Sequence, residues 1–223
     1  MIRHLTTRPS RRPIASPASV PRWKRALDLG AGALALVLLA PVMLVAAAAV
    51  RLSSPGPVLF RQIRIGLGER PFTMLKFRTM YVDADHAAQN ALNLSELRGE
   101  AVAEAGLYRL AVDPRITPVG RILRRYSIDE LPQLFNLLRG EMSLVGPRPA
   151  LPWEVELFTP EQRRRHASLP GLTGLWQVSG RNRLSMQQML DLDLAYVEHC
   201  TLGQDIAILI RTPAAVLLDR ATR

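Results

Sequence analysis

The pattern of apolar and polar positions divides the chain into unlike stretches. Residues 1–22 alternate arginine with proline, carry no acid and offer little to bury, the pattern of a disordered basic tail. The 22 residues from Leu29 to Val50 then contain no charge and are mostly Ala, Leu and Val, and about 20 apolar residues suffice for a helix to cross a bilayer core. A signal peptide's apolar region runs only about 7–15 residues, and a helix apolar on every side is foreign to a small soluble core. Arginine or lysine stands on both flanks (Arg22, Lys24, Arg25; Arg51, Arg61, Arg64), so the positive-inside rule assigns no direction. Pro41, near the middle, removes a backbone hydrogen bond and kinks the helix. A kinked span and a re-entrant hairpin turning at Pro41 both satisfy this pattern.

Beyond Pro57 the period shortens. Val58–Ile65 and Phe72–Phe77 read as strands joined through Gly66 and Gly68, a β-hairpin. Helical patterns follow at 83–107, 119–126, 132–139 (stopped by Gly140), 152–168 and 185–199. The apolar run 205–218 suits an interfacial helix or a core-packing one equally. The fold class expected is α+β and mainly helical, with membrane and interfacial helices around a small catalytic domain. The expected divisions are 1–22 tail, 23–51 membrane helix, 52–204 globular domain and 205–223 C-terminal helix and tail.

Composition narrows the partners. The net charge is +10, almost all of it from arginine, since Lys24 and Lys76 are the only lysines. Such a balance favours anionic partners, and arginine suits bidentate phosphate contact, though a GC-rich genome also favours arginine. The single cysteine, Cys200, excludes an intrachain disulfide and a multi-cysteine zinc site, and reads as structural.

Four segments carry candidate chemistry. Asp129-Glu130 stands just before Pro132, and proline is accepted in a helix's first turn, so a helix starts within a few residues of the pair. The alternative is a capping box from Ser127 to Glu130, which sets Pro132 too deep in the helix. A helix N-terminus together with Arg124 and Arg125 is expected to keep these carboxylates ionised and to attract phosphate. Such a pair can divide its labour, one carboxylate attacking phosphorus and the other holding Mg²⁺, but the same residues also describe a capped, salt-bridged helix start. Strand alternation puts Lys76 and Arg78 on one face as a pyrophosphate clamp, or as a solvated charge pair. Arg148 sits in the rigid Gly146-Pro147-Arg148-Pro149 loop. Trp176 and Arg181 lie in the glycine-bearing run Pro170–Asn182, suited to a base or a diphosphate. No P-loop, dinucleotide or HExxH motif is present.

In order along the chain, Lys24-Arg25-Ala26-Leu27-Asp28, Lys76-Phe77-Arg78-Thr79-Met80, Asp113-Pro114-Arg115-Ile116-Thr117, Ser127 to Pro132, Gly140 to Pro149 and Pro170 to Asn182 resemble the bacterial sugar transferases. These are small monotopic polyprenyl-phosphate phosphoglycosyl transferases, and the likeness runs from about Lys24 to Thr212. It implies that Asp129 is a nucleophile that takes a sugar phosphate from a UDP-sugar, releases UMP and passes its load to polyprenyl (undecaprenyl) phosphate. It implies Glu130 as the Mg²⁺ ligand and Lys76, Arg124 and Arg148 as phosphate-binding groups. Arg78 joins them from its chemistry, with Arg181 and Trp176 as nucleotide-binding candidates. It also implies a re-entrant helix breaking at Pro41 (here after Ala40), the cytoplasmic face of a bacterial inner membrane, and a role in exopolysaccharide initiation. Expected partners are thus UDP-sugar, polyprenyl phosphate, membrane lipids and, compatibly, a second copy as a homodimer, with no nucleic acid. A membrane-tethered basic binding or scaffold protein is the competing class.

Overall fold

A computed structural model describes residues 20–82, 94–95 and 113–218. The fold is α+β and mainly helical. Its first element, α1 (Arg22–Ser53), is one helix, favoured by its many Ala and Leu residues. Only 17% of its most apolar 18-residue window is buried. A core helix would be covered, whereas here Leu34, Val37, Leu38, Leu44 and Val45 face outward at 60–72% exposure. Pro41, the expected breaking point, lies inside this one helix, where a proline removes a backbone hydrogen bond.

Both ends of α1 are fastened to the same globular body. Near the start, Lys24 donates to Asp205 at 2.5 Å and Asp28 accepts from the Ser143 hydroxyl and the Leu144 N–H at 2.9 and 2.8 Å. Near the end, Ala46 and Val50 join a core cluster with Phe77 and Leu123. A straight helix of 32 residues would be about 48 Å long.

Strands β1 (Leu59–Ile65) and β2 (Pro71–Phe77) form the expected hairpin, antiparallel with Leu59 opposite Phe77 and Ile65 opposite Pro71. The turn needs Gly68, whose φ is 61°. Helices α2 (Pro118–Arg125) and α3 (Gln133–Arg139) follow. A second small sheet pairs β3 (Ser143–Val145) with β4 (Gly171–Thr173) in parallel. The helix expected over 152–168 is broken into α4 (Pro152–Leu157), α5 (Pro160–Arg163) and a 3₁₀ turn at Arg164–Ala167. The cause is Pro160: the residue before a proline is driven out of the α region, and Thr159 stands at ψ 159° and caps the new helix by accepting from the Gln162 N–H. Helices α6 (Leu175–Ser179), α7 (Met186–Glu198) and α8 (Leu202–Leu218) complete the chain.

Over 205–218 one face packs on the core, as the core-packing reading expected, and another stays open. Asp205 and Ile208 are buried, while Ile206 and Ile210 stay exposed. Cys200 is half-buried beside the Tyr196 hydroxyl, as a structural residue would be. The helix expected over 83–107 falls almost entirely outside the described residues, as does the tail 1–19.

Candidate active site

The carboxylate pair sits in a joint between two helices. Helix α2 stops at Arg125, Ser127 turns the chain through the left-handed region at φ 54°, and Ile128–Glu130 form one 3₁₀ turn. Pro132 then caps α3, which starts at Gln133. Ser127 makes no capping bond with its side chain, so the Ser127/Glu130 box is absent and the Glu130 carboxylate is free to reach Lys76 on β2. Nζ of Lys76 lies 2.8 Å from its Oε1. Asp129, by contrast, is only 8% exposed.

That burial changes the expected electrostatics. Desolvation, reinforced by the like charge of Glu130, raises Asp129 from the ordinary carboxylate range to about 6, against the opposing pull of Lys76 and Arg124. Nearby cations were expected to lower the pKa of both carboxylates and keep the pair ionised. For Asp129 the shift runs the other way, because burial outweighs them. Burial acts on Glu130 too, but there Lys76, by charge and hydrogen bond, with Arg181 and Arg148 behind it, wins and holds the group below its usual value. The two members thus have separate characters: a reluctant anion and a committed one.

Around them the motifs converge. Arg124 donates from Nε to the Thr79 hydroxyl at 2.8 Å, and Thr117 N–H donates to the Thr79 carbonyl at 2.9 Å. This joins the Lys76–Met80 segment to the Asp113–Thr117 segment, with Met80 bridged to Ile116. Gly120 permits the approach, since a Cβ there would fall 2.1 Å from the Thr79 carbonyl oxygen. Arg148 is half-exposed, with Nη1 3.5 Å from Oε1 of buried Glu154. Arg181, at φ 51°, donates to the Ala215 carbonyl on α8 at 3.0 Å while its charge is felt at Glu130.

Two candidates fall differently. Arg78 does not clamp phosphate beside Lys76. It lies just past the end of β2, is buried, and donates to the carbonyls of Pro55 and Ser54 (2.8 Å to the latter), binding the exit of α1 to the sheet. Strand alternation no longer applies there because the strand ends at Phe77. Trp176 is half-buried on α6 with its Nε1 enclosed and, among the described residues, without a hydrogen-bond partner.

Sequence reasoning missed Asn136, fully buried on α3. Its Oδ1 accepts from the Leu75 N–H at 3.0 Å and its Nδ2 donates to the Thr73 carbonyl and Glu141 at 2.7 and 2.6 Å. It thereby closes the free edge of β2 and fixes α3, with the carboxylate turn before it, against the strand bearing Lys76. An asparagine in the middle of an apolar helix is itself a signal, since it is a poor helix former there. Among the described residues no group of three or more acidic, His or Cys side chains could cage a metal. Two adjacent carboxylates, one of them costly to ionise, nonetheless fit Mg²⁺, which is usually held by one or two carboxylates together with substrate phosphates.

Residues 20–219 match the sequence model described as bacterial sugar transferase. The chain is 41% identical over 200 residues to the exopolysaccharide production protein ExoY of Rhizobium meliloti, covering 89% of this chain and 87% of that one. It is 44% identical over 207 residues to a UDP-glucose:undecaprenyl-phosphate glucose-1-phosphate transferase of Caulobacter vibrioides, covering 89% and 71%. It is 39% identical over 195 residues to an undecaprenyl-phosphate galactose phosphotransferase of Salmonella typhimurium, covering 87% of this chain and 40% of the longer relative.

Proposed function

Because the chain belongs to the bacterial sugar transferase family, we propose that it transfers a sugar phosphate from a UDP-sugar to polyprenyl phosphate through a covalent intermediate on Asp129. The observation that carries this reading is a buried, reluctantly ionised carboxylate beside a Lys76-paired one, within the field of several guanidinium groups. An oxygen of Asp129 bonds to the sugar-bearing phosphorus, and the bond from that phosphorus to the bridging oxygen breaks, so UMP leaves with that oxygen and its electron pair. An oxygen of the lipid phosphate next bonds to the same phosphorus and displaces the carboxylate, giving polyprenyl-diphosphate-sugar and restoring Asp129.

Lys76, Arg124 and Arg148 orient and offset the phosphates, with Arg181 and Trp176 on the nucleotide side. Glu130 is the residue that fits Mg²⁺, with Lys76 engaging only one of its oxygens; the ion, when bound, supplies charge neutralisation at the diphosphate. Purified protein in detergent with MgCl₂, polyprenyl phosphate and a panel of UDP-sugars should release UMP. Excess EDTA should stop release and added MgCl₂ restore it. Activity persisting in EDTA would remove the metal from the reading, and no UMP with any sugar would favour the binding or scaffold class.

The pH profile is a second test. An acid with a raised pKa stabilises the fold below the unfolded value and loses that contribution as pH rises through the folded one, whereas attack needs the ionised form. UMP release in the absence of lipid acceptor should therefore rise with pH through about 6, and a profile flat from pH 5 to 8 would contradict Asp129 as the attacking group.

Contacts at both ends of α1 with one domain support a monotopic arrangement on the cytoplasmic face of the inner membrane, where a soluble UDP-sugar and a headgroup-level lipid phosphate meet. The natural setting is the first membrane step of exopolysaccharide or related glycoconjugate synthesis.

A further inference from the structure

Across Val145–Ala150 every residue is buried except Arg148. This loop cannot extend strand β3, because Pro147 and Pro149 have no N–H to donate. Its carbonyls are nevertheless satisfied one after another from three elements: β4, β1 and the 3₁₀ turn at Arg164–Ala167. The Gly171 N–H on β4 donates to Pro147 at 2.9 Å, and the Ile65 N–H on β1 donates to Ala150 at 2.9 Å. Between them, Arg165 donates to the Arg148 carbonyl at 2.7 Å and Arg64 donates to the Pro149 carbonyl at 2.9 Å.

Both guanidinium groups are themselves fixed. Arg165 is 3% exposed and ion-paired with buried Asp193 on α7. Arg64 is 7% exposed, and its Nε and Nη2 donate to Gln62 Oε1 at 3.1 and 2.7 Å. Placing them there has an electrostatic cost, because burial and the neighbouring charges of Arg148 and Arg165 bring Arg64 down to about 9. Two neutral donors would hold two carbonyls without that cost. What the cations add is a rigid planar reach from two distant elements, and a positive field around the one side chain that emerges.

We propose that Arg64 and Arg165 are positioning residues: a two-guanidinium bracket on consecutive carbonyls that fixes the direction in which Arg148 presents its charge to the substrate phosphates. This rests on the phosphate role assigned to Arg148 above. Arg64 lies on β1, whose partner β2 carries Lys76, so the bracket also sets Arg148 relative to Lys76.

The test is a pair of double-mutant cycles on the detergent-purified full chain, reading kcat/KM for UMP release. Arg148→Ala should lose about 100-fold, and Arg64→Lys and Arg165→Lys about 10-fold each, since lysine keeps the charge but not the fork and a small misplacement is costly. The doubles Arg64→Lys/Arg148→Ala and Arg165→Lys/Arg148→Ala should lie within about 2-fold of Arg148→Ala alone, because a positioning residue has nothing to act on once the Arg148 cation is gone. Should the buried substitutions prevent folding, Gln62→Leu leaves every guanidinium in place and frees the Arg64 fork. Its loss of about 3-fold should likewise vanish in the Arg148→Ala background. Fully additive losses, or wild-type rates in the bracket variants while Arg148→Ala is impaired, overturn the bracket alone. A wild-type rate in Arg148→Ala overturns the phosphate role of Arg148, and the bracket with it.

Discussion

Asp129→Asn should lower sugar-phosphate transfer by about 10⁴-fold or more, the scale of losing a covalent nucleophile, while leaving the protein folded and more stable. The two effects have one cause. Asp129 is held in a nearly dry site beside Glu130, which raises it to about 6; at pH 8 the folded chain must therefore bury an anion that the unfolded chain solvates freely. The isosteric amide removes that cost and the repulsion with Glu130, a gain of roughly 1–3 kcal/mol at pH 8 that shrinks below pH 6 as wild-type Asp129 takes up its proton. Sugar-labelled UDP-sugar supplied without lipid acceptor should leave label on the wild-type protein and none on the variant. Near-normal turnover by Asp129→Asn would sink the covalent mechanism, and a lowered melting temperature would show that the carboxylate serves the fold.

The second large effect concerns the anchoring of α1. Lys24 and Asp205 are 2% and 1% exposed, paired at 2.5 Å, with the Tyr196 hydroxyl also donating to Asp205 at 2.7 Å. Removing one partner of a buried pair costs about 3–5 kcal/mol, because the other charge is left without compensation. Lys24→Met should therefore lower stability by that amount in a thermal or denaturant melt, and Lys24→Met/Asp205→Leu should recover most of it. The pair also ties the start of α1 to α8, whose far end is held by Arg181 near Glu130. In a Cys200→Ser background, single cysteines at Arg22 and Leu52 should both react with an impermeant thiol reagent from the cytoplasmic side. Labelling from opposite sides would contradict the monotopic reading, and an unchanged melt for Lys24→Met would mean that water reaches Asp205.

In a chain where arginine supplies nearly all positive charge, the only two lysines occupy these two places, Lys24 against Asp205 and Lys76 against Glu130. Both join segments far apart in sequence, and nothing in their local sequence announces the partner. The same limit explains Arg78. Alternation predicted the face it would share with Lys76 if the strand continued, but the strand ends at Phe77, and the residue turns to the carbonyls of Ser54 and Pro55. It explains Asp129 as well: neighbours in sequence count nearby charges, whereas desolvation depends on what packs overhead.

By itself, the sequence determined what local rules govern. The uncharged run fixed α1 as one long apolar helix, alternation placed the hairpin to within a residue, and Pro132 and Gly140 set the two ends of α3, with Asp129 and Glu130 just outside it. Tertiary structure alone decided which end of α1 meets which element, that Arg64 and Arg165 bracket the Arg148 loop, and that Asp129 and Glu130 differ in their hold on a proton. The physical reason is range. Helix starts, turns and strand faces follow from dihedral preferences over a few residues, whereas burial, ion pairing and proton affinity are set by atoms that the folded chain brings together from distant positions, up to 181 residues apart.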